Sequence, residues 1–270
     1  MDQGTRTETT ESAWKEPLRF PSYRKVGLYK VGGAAALIAA VLFRRNLGAE
    51  FSLLRMTGVI GVGPATAPSS AVDWFTLFQN SRLIGLTLFE LFDVVNYALV
   101  GLIYLALYAA LRRADAGSMI ATAFGFVGIA VYFASNQAFS MLALSDQYAA
   151  ATTDTQRSTF LAAGEAVLAI HNPGAIYHGL GVTISLFLVT LAGLIISMVM
   201  LRSDIFSRAT AIVGILAHGF GLGYFVALAF APAIIALPPS ISAPFLLVWY
   251  ILIARRLFRL GSGILEEEAR

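Results

Sequence analysis

Glu90, Asp93 and Asn96 interrupt a run that is otherwise apolar from Leu83 to Leu111. At about 100° per residue, Glu90, Asp93 and Tyr97 share one arc of a helix, with Asn96 at its edge. Ser135, Asn136 and Gln137 interrupt a second apolar run, and His178 and His218 stand in two more. Carboxylates, amides and imidazoles are the groups that relay protons, hold polar solutes or ligate metals. A charged side chain at the centre of a bilayer costs at least about 2.5–3.5 kcal/mol, so such residues are paired, wetted or neutral and often mark a pathway or site. The same side chains also act as hydrogen-bonding glue between helices. Two readings therefore stand side by side, a polar pocket and a structural seam.

The elements that must position these groups follow from composition. Apolar residues make up 57% of the 270-residue chain and charged residues only 13%, against roughly 45–50% and 25% in soluble proteins. The mean hydropathy is +0.73. Too few charges remain to solvate a globular surface, which excludes a soluble enzyme, a disordered scaffold and a fibrous protein. With no cysteine there is no disulfide framework, thiolate metal site or cysteine nucleophile. A net charge of +3 reflects basic loops at a membrane surface rather than binding of nucleic acid. Walker, nucleophile-elbow and H-E-x-x-H motifs are absent. Gly219-Phe-Gly221-Leu-Gly223 lies inside an apolar run with no strand before it, so it is no nucleotide loop.

About 20 mostly apolar residues span about 30 Å of hydrocarbon. The chain offers six such segments: about Val26 to Phe43, Leu83 to Leu111, Ser118 to Leu144, Gly174 to Leu201, Ala209 to Ala231 and Ile241 to Leu257. The expected fold is all-α, an integral membrane bundle of six transmembrane helices with an amphipathic helix on its outer surface. Residues 1–23 form a polar cytoplasmic tail, residues 24–260 one membrane domain and residues 261–270 a charged tail. The first tail lacks the basic start of a signal peptide, so the first span reads as retained. Lys15, Arg19, Arg24, Lys25, Arg112, Arg113, Arg202, Arg208, Arg255, Arg256 and Arg259 fall on one side if both termini face the cytoplasm. Arg6 and Arg270 join that side, while the opposite loops hold Arg44, Arg45, Arg55, Arg82 and Arg157 with comparable acid; Arg44 and Arg45 oppose the assignment and are outnumbered. The cell membrane is the expected location, with anionic lipid headgroups against the cytoplasmic Arg and Lys clusters.

Two outer segments have character of their own. Asn46 to Ser81 is too polar, and too broken by Gly and Pro, to span. Asp146 to Asn172 reads as an amphipathic helix started by a Thr153–Gln156 capping box. Phe160, Leu161, Gly164, Val167 and Leu168 face away from Arg157 and Glu165, so the helix either lies on the outer interface or roofs the bundle. His171 falls in the loop before Pro173. At about 1.5 Å per residue, Glu90 and Asp93 lie about 12–17 Å into their span, Asn136 about 12 Å from its outer end and His178 about 6 Å into the fourth. His218 lies deeper and apart from that set, and Gly219-x-x-x-Gly223 beside it is a weak signal for a close helix crossing.

The stretch Phe92-Asp-Val-Val-Asn-Tyr-Ala-Leu-Val100, the segment Asp146-Gln-Tyr-Ala149 and the turn Leu201-Arg-Ser-Asp-Ile-Phe-Ser-Arg208 leading to Gly214-Ile-Leu216 resemble a prokaryotic multi-span membrane family. That family is catalogued as domain of unknown function four-three-eight-six. The resemblance covers about Tyr23 to Leu260. It implies a six-span helical fold, a histidine near the start of the fourth span (His178 here) and no particular activity or cofactor. Where members often carry Pro before the Arg of the turn, this chain has Ser207.

Three functions fit these residues. A structural or partner- and ligand-binding membrane protein would use Glu90, Asp93, Asn96, Tyr97, Asn136, Gln137 and His178 as a polar pocket or as glue, with another membrane protein or a second copy of the chain as partner. A small-solute or proton-coupled carrier or sensor would use the same pocket, although no internal repeat is evident. A membrane-embedded metal hydrolase would need Glu90, Asp93 and His178, with His171, as ligands, and no compact ligand motif exists. The first reading is preferred, which leans away from an enzyme.

Overall fold

In the computed structural model, which describes residues 22–46, 68–173 and 179–263, every regular element is a helix. Helix α1 (Ser22–Asn46) is followed by α2 (Ala71–Asn80), the short α3 (Arg82–Leu86), a distorted turn over Thr87–Leu91 and α4 (Phe92–Leu111). Then come α5 (Gly117–Ser135), α6 (Ala138–Ala150), α7 (Asp154–Ile170), α8 (Leu180–Leu201), α9 (Arg208–Phe230) and α10 (Leu237–Gly261). The long helices close a ring, in which α1 packs on α4, α4 on α5, α5 on α8, α8 on α9, α9 on α10 and α10 back on α1.

Segments Arg82–Leu111, Gly117–Ala150, Leu180–Leu201, Arg208–Phe230 and Pro232–Gly261 are long and apolar enough to cross a bilayer, and the shorter Val26–Leu42 within α1 is also apolar. Six spans is therefore an approximate count: five meet the full length and the first falls short. The ring turns an apolar outer surface to its surroundings, with Val41, Met119, Val127, Phe187, Val226 and Val248 all exposed. Such a surface is compatible with a lipid environment.

Small residues set how closely the helices approach. Ala35, Ala36, Ala39 and Ala40 on α1 are at most 5% exposed. Together with Gly32 and Gly33 they let α1 lie against Leu257 and Phe258 of α10 and Ala106 of α4. The crossing of α8 with α9 rests on Gly193, where the His218 ring occupies the space that a side chain would take. The G-x-x-x-G signal performs differently from expectation. Nothing lies within 4 Å of a side chain built at Gly219, and Gly223 meets only Pro238.

Three other expectations are corrected by the backbone. The second span is broken at Phe89 and Glu90. The third ends at Asn136 and resumes as α6, so Asn136 and Gln137 occupy a break and not a helix interior. Residues 71–80, read as part of a non-spanning loop, form α2. Its Ser70–Asp73 capping box and buried Trp74, Phe75 and Phe78 were legible signals. Residues 1–21, 47–67, 174–178 and 264–270, with most of the first tail and the start of the fourth predicted span, lie outside the described residues.

The amphipathic helix is present as α7, starting at Asp154 right after its Thr153 cap; it is shorter than the expected Asp146 to Asn172, because residues 146–150 end α6. It roofs one end of the ring. Gly164 and Leu168 are buried, with Gly164 against Phe75 and Ala71 of α2. Glu165 does not simply face solvent, because its carboxylate accepts the Ala71 N–H at 2.8 Å and so helps cap α2. Gln79 of α2 donates to both the carbonyl (3.1 Å) and the hydroxyl (3.0 Å) of Ser145 on α6. Helices α2, α6 and α7 thus form a small cap around Trp74, Phe75, Phe78, Phe89 and Met141.

At the opposite end, Asp115 in the α4–α5 turn accepts the Gly117 N–H at 2.6 Å and the Arg202 guanidinium at 3.0 Å. The Gly117 hydrogen bond first, and Arg202 second, hold its carboxyl below the usual carboxylate range. A depressed value means that the contact stabilises the fold above the unfolded pKa near 3.8 and is lost as pH falls through the folded one. Asp115→Asn should therefore lower the thermal midpoint in detergent at pH 7, and the gap from the parent should narrow as pH falls below 3.8. Gly193→Leu should cost about 1–3 kcal/mol through overpacking, whereas Gly219→Leu should be neutral or gain up to about 1 kcal/mol from helix propensity. Unfolding midpoints of the two variants in one detergent check this.

Candidate functional site

Glu90 is the only residue other than glycine with positive φ among those described, at φ 71° and ψ 24°. A side chain in that region costs about 1–3 kcal/mol, so something must hold it there. Its neighbour supplies the force. Phe89 leaves the helical path and is fully buried in the cap, edge-on to Trp74 at 4.7 Å and stacked on His171 at 5.7 Å. Burying a phenylalanine is worth about 1.5–3 kcal/mol, enough to offset the strain.

The Glu90 carboxylate then meets groups from two distant segments. The Tyr132 hydroxyl of α5 donates to Oε2 at 3.1 Å, and His171 Nε2, just past the end of α7, lies 3.2 Å from the same atom. The His171 side chain is 2% exposed and that of Glu90 10%. Asn136 Nδ2 donates to the Tyr132 hydroxyl at 3.4 Å, while its Oδ1 accepts the Ala138 N–H and bridges the α5–α6 break. The Tyr97 ring lies parallel to that of Tyr132 at 4.0 Å.

Below this cluster the ring encloses a cavity of about 440 Å³ between α4, α5, α8, α9 and α10, within the roughly 300–1,000 Å³ common for small-molecule sites. Glu90, Asp93, Asn96, Tyr97 and Tyr132 line its upper part; His218, Ser242, Trp249 and Tyr250 line its deeper part. Two other hydroxyls on the wall are satisfied by neighbouring backbone. Tyr104 donates to the Val189 carbonyl at 2.9 Å and Ser242 to the Ala217 carbonyl at 2.6 Å. Asn96 Oδ1, His218 Nε2 and Trp249 Nε1 are buried without a hydrogen-bond partner.

Of the residues singled out from sequence, Glu90, Asp93, Asn96 and Tyr97 share this cavity, and Asn136 reaches it through Tyr132. Gln137 does not take part, because its amide turns back on the Ser135 carbonyl at 3.4 Å. His178 lies outside the described residues. Among the described residues the imidazole beside Glu90 is His171, in the loop expected of it and buried there. His218 was read as standing apart, yet it lines the same cavity, edge-on to Trp249 at 4.7 Å. Tyr104, Tyr132, Tyr224 and Tyr250 were missed. Their signal was a phenol inside an apolar span, where its hydroxyl needs a partner.

Among the described residues, no three His, Cys, Asp or Glu side chains stand close enough to hold a metal ion, so the hydrolase reading gains no support from them. No family model matches the chain, and neither the curated proteins nor the solved structures contain a match. A functional reading therefore rests on the site's own chemistry.

The strain at Glu90 makes a sign-reversed prediction. In an ordinary helix interior Ala is more stable than Gly by about 1 kcal/mol. At position 90 both substitutions remove the carboxylate contacts, and Glu90→Gly should be the more stable of the two by about 1 kcal/mol. Thermal unfolding of the pair in one detergent measures it.

Proposed function

We propose that the chain is a multi-pass integral membrane protein that binds a small amphipathic molecule within its helix ring. The site lies in the outer half of the bilayer, and both termini face the cytoplasm. The observation that carries this reading is the cavity of about 440 Å³ roofed by Glu90 and Tyr132, with His171 behind Glu90, and floored by aromatic rings. A dry structural seam would pack its polar groups against one another. Here Glu90, Asp93, Asn96, Thr183 and Ser242 line an open volume instead. The arginines at the far ends of α4, α8 and α10 would contact anionic headgroups on the cytoplasmic face.

A second reading, a solute carrier or sensor, draws on the interruption at Phe89–Glu90. Many carriers place their sites at broken helices. Uptake into vesicles separates carriage from binding.

Binding itself is tested by thermal-shift screening of detergent-purified protein against small amphipathic molecules. Leu186 lines the cavity and is 39% exposed at its rim, so Leu186→Trp narrows the entrance without disturbing the core. Stabilising compounds should lose their effect in Leu186→Trp. A screen in which no compound shifts the parent and spares the variant would return the polar residues to the role of helix glue.

A further inference from the structure

Two hydrophobic cores that share no residue divide the described chain. One, in the ring, runs through Ala36, Ile103, Leu107, Ile196, Trp249 and Ile253. The other, in the cap, gathers Trp74, Phe75, Phe78, Phe89, Met141 and Leu168. Side-chain hydrogen bonds follow the same division. Within the cap, Gln79 holds Ser145, Arg82 pairs with Asp146 at 3.0 Å and Glu165 holds Ala71. Within the ring, Tyr104 holds Val189 and Ser242 holds Ala217. Helices α2, α3, α6 and α7 pack on one another, and α3 and α6 also pack on the Thr87–Leu91 turn. Among the described residues, none of the four packs extensively on a helix of the ring.

The chain passes between the two bodies three times, and each passage leaves helical geometry. The first is the turn at Phe89 and Glu90. The second is Asn136, extended at φ −67° and ψ 131° between α5 and α6. The third passes Gly179, at φ 92°, where α8 begins. Such positions absorb backbone rotation as hinges do, and bodies with separate cores and little shared surface move relative to one another. Helices α4 and α5, of 20 and 19 residues, already cover about 30 Å of hydrocarbon at about 1.5 Å per residue. That leaves the cap at the bilayer surface, above the cavity.

Glu90 joins the two bodies. Its carboxylate accepts the Tyr132 hydroxyl of the ring at 3.1 Å and lies 3.2 Å from Nε2 of His171, at the end of the cap. Glu90 and Tyr132 also line the upper part of the cavity. A displacement of the cap carries Phe89 and the turn with it and uncovers that end.

We propose, building on the reading of this cavity as a ligand site, that the cap is a hinged lid. It pivots as one body about Phe89–Glu90, Asn136–Gln137 and Gly179, and opens the upper end of the cavity to the water on that face. The Tyr132–Glu90 hydrogen bond is the catch that holds it closed.

The chain has no cysteine, so introduced thiols report without background. Nitroxide labels on three exposed pairs give distance distributions by double electron–electron resonance, on the full chain in nanodiscs. Thr76→Cys with Ser158→Cys lies within the cap, Ala134→Cys with Ser240→Cys within the ring, and Ser158→Cys with Ser240→Cys across the two. Adding Tyr132→Phe should lengthen the cross pair by about 5 Å, a helical turn, and leave the other two as in the parent. Ser242→Cys, buried on the cavity wall, should react with the membrane-impermeant trimethylammonioethyl methanethiosulfonate about tenfold faster in that background, the scale of one charge-assisted hydrogen bond. An unchanged cross pair overturns the lid and leaves the cavity reading standing. Broadening of all three pairs overturns it too, since the cap is then no rigid body. A lengthened cross pair without faster labelling shows a cap that moves without opening the cavity, and the lid falls. If Ser242→Cys also resists the small, membrane-permeant methyl methanethiosulfonate, the cavity reading falls with it.

Discussion

Phe89 and Glu90 are adjacent in the chain yet engage different parts of the molecule, and the upper architecture depends on that divergence. Phe89 belongs to the cap, against Trp74, Phe78 and the His171 ring. Glu90 belongs to the ring, against Tyr132. A regular helix would set consecutive side chains only about 100° apart on one cylinder, and could not serve both. The left-handed conformation at Glu90 resolves the conflict. It costs strain, which the aromatic cluster offsets, and it leaves a carboxylate beside a phenol and an imidazole at the mouth of the cavity. The single turn couples cap, ring and site.

The ring beneath obeys a simpler constraint. Hydrocarbon offers no hydrogen-bond partners, so polar side chains inside apolar helices must find them in neighbouring helices. The Tyr104 hydroxyl on the Val189 carbonyl joins α4 to α8, and Ser242 on the Ala217 carbonyl joins α10 to α9. Close approach at Gly193, Gly128 and the Ala-rich face of α1 brings these groups within reach. His218 Nε2 and Trp249 Nε1 are left unmet where their rings fill the space above Gly193 and Gly214.

Much of this organisation was legible in the chain. Apolar runs located the helices that could cross a bilayer, five of them at full length, because length and charge alone decide whether a helix can sit in lipid. The Thr153–Gln156 box marked the start of α7 to the residue, since capping is a local interaction. The spacing of Glu90, Asp93 and Tyr97 selected residues that do share a cavity, although Glu90 arrives there by a strained turn and not along a helical face. Periodicity works where the backbone is regular and is silent where tertiary forces bend it. The α2 helix was overlooked because Gly and Pro upstream outweighed its own box at Ser70 and Asp73.

Sequence by itself determined the solvent, the helical class and the polar residues that lipid would not tolerate alone, because these follow from composition and from contacts within a few residues. Only the tertiary structure decided which of those groups meet. His171 is separated from Glu90 by eighty residues of chain, and nothing local announces that the roof helix ends where the second span breaks. The same holds for the wall of tyrosines, each an ordinary packed residue in its own helix. They become a cavity because six helices close a ring whose facing side chains do not fill it.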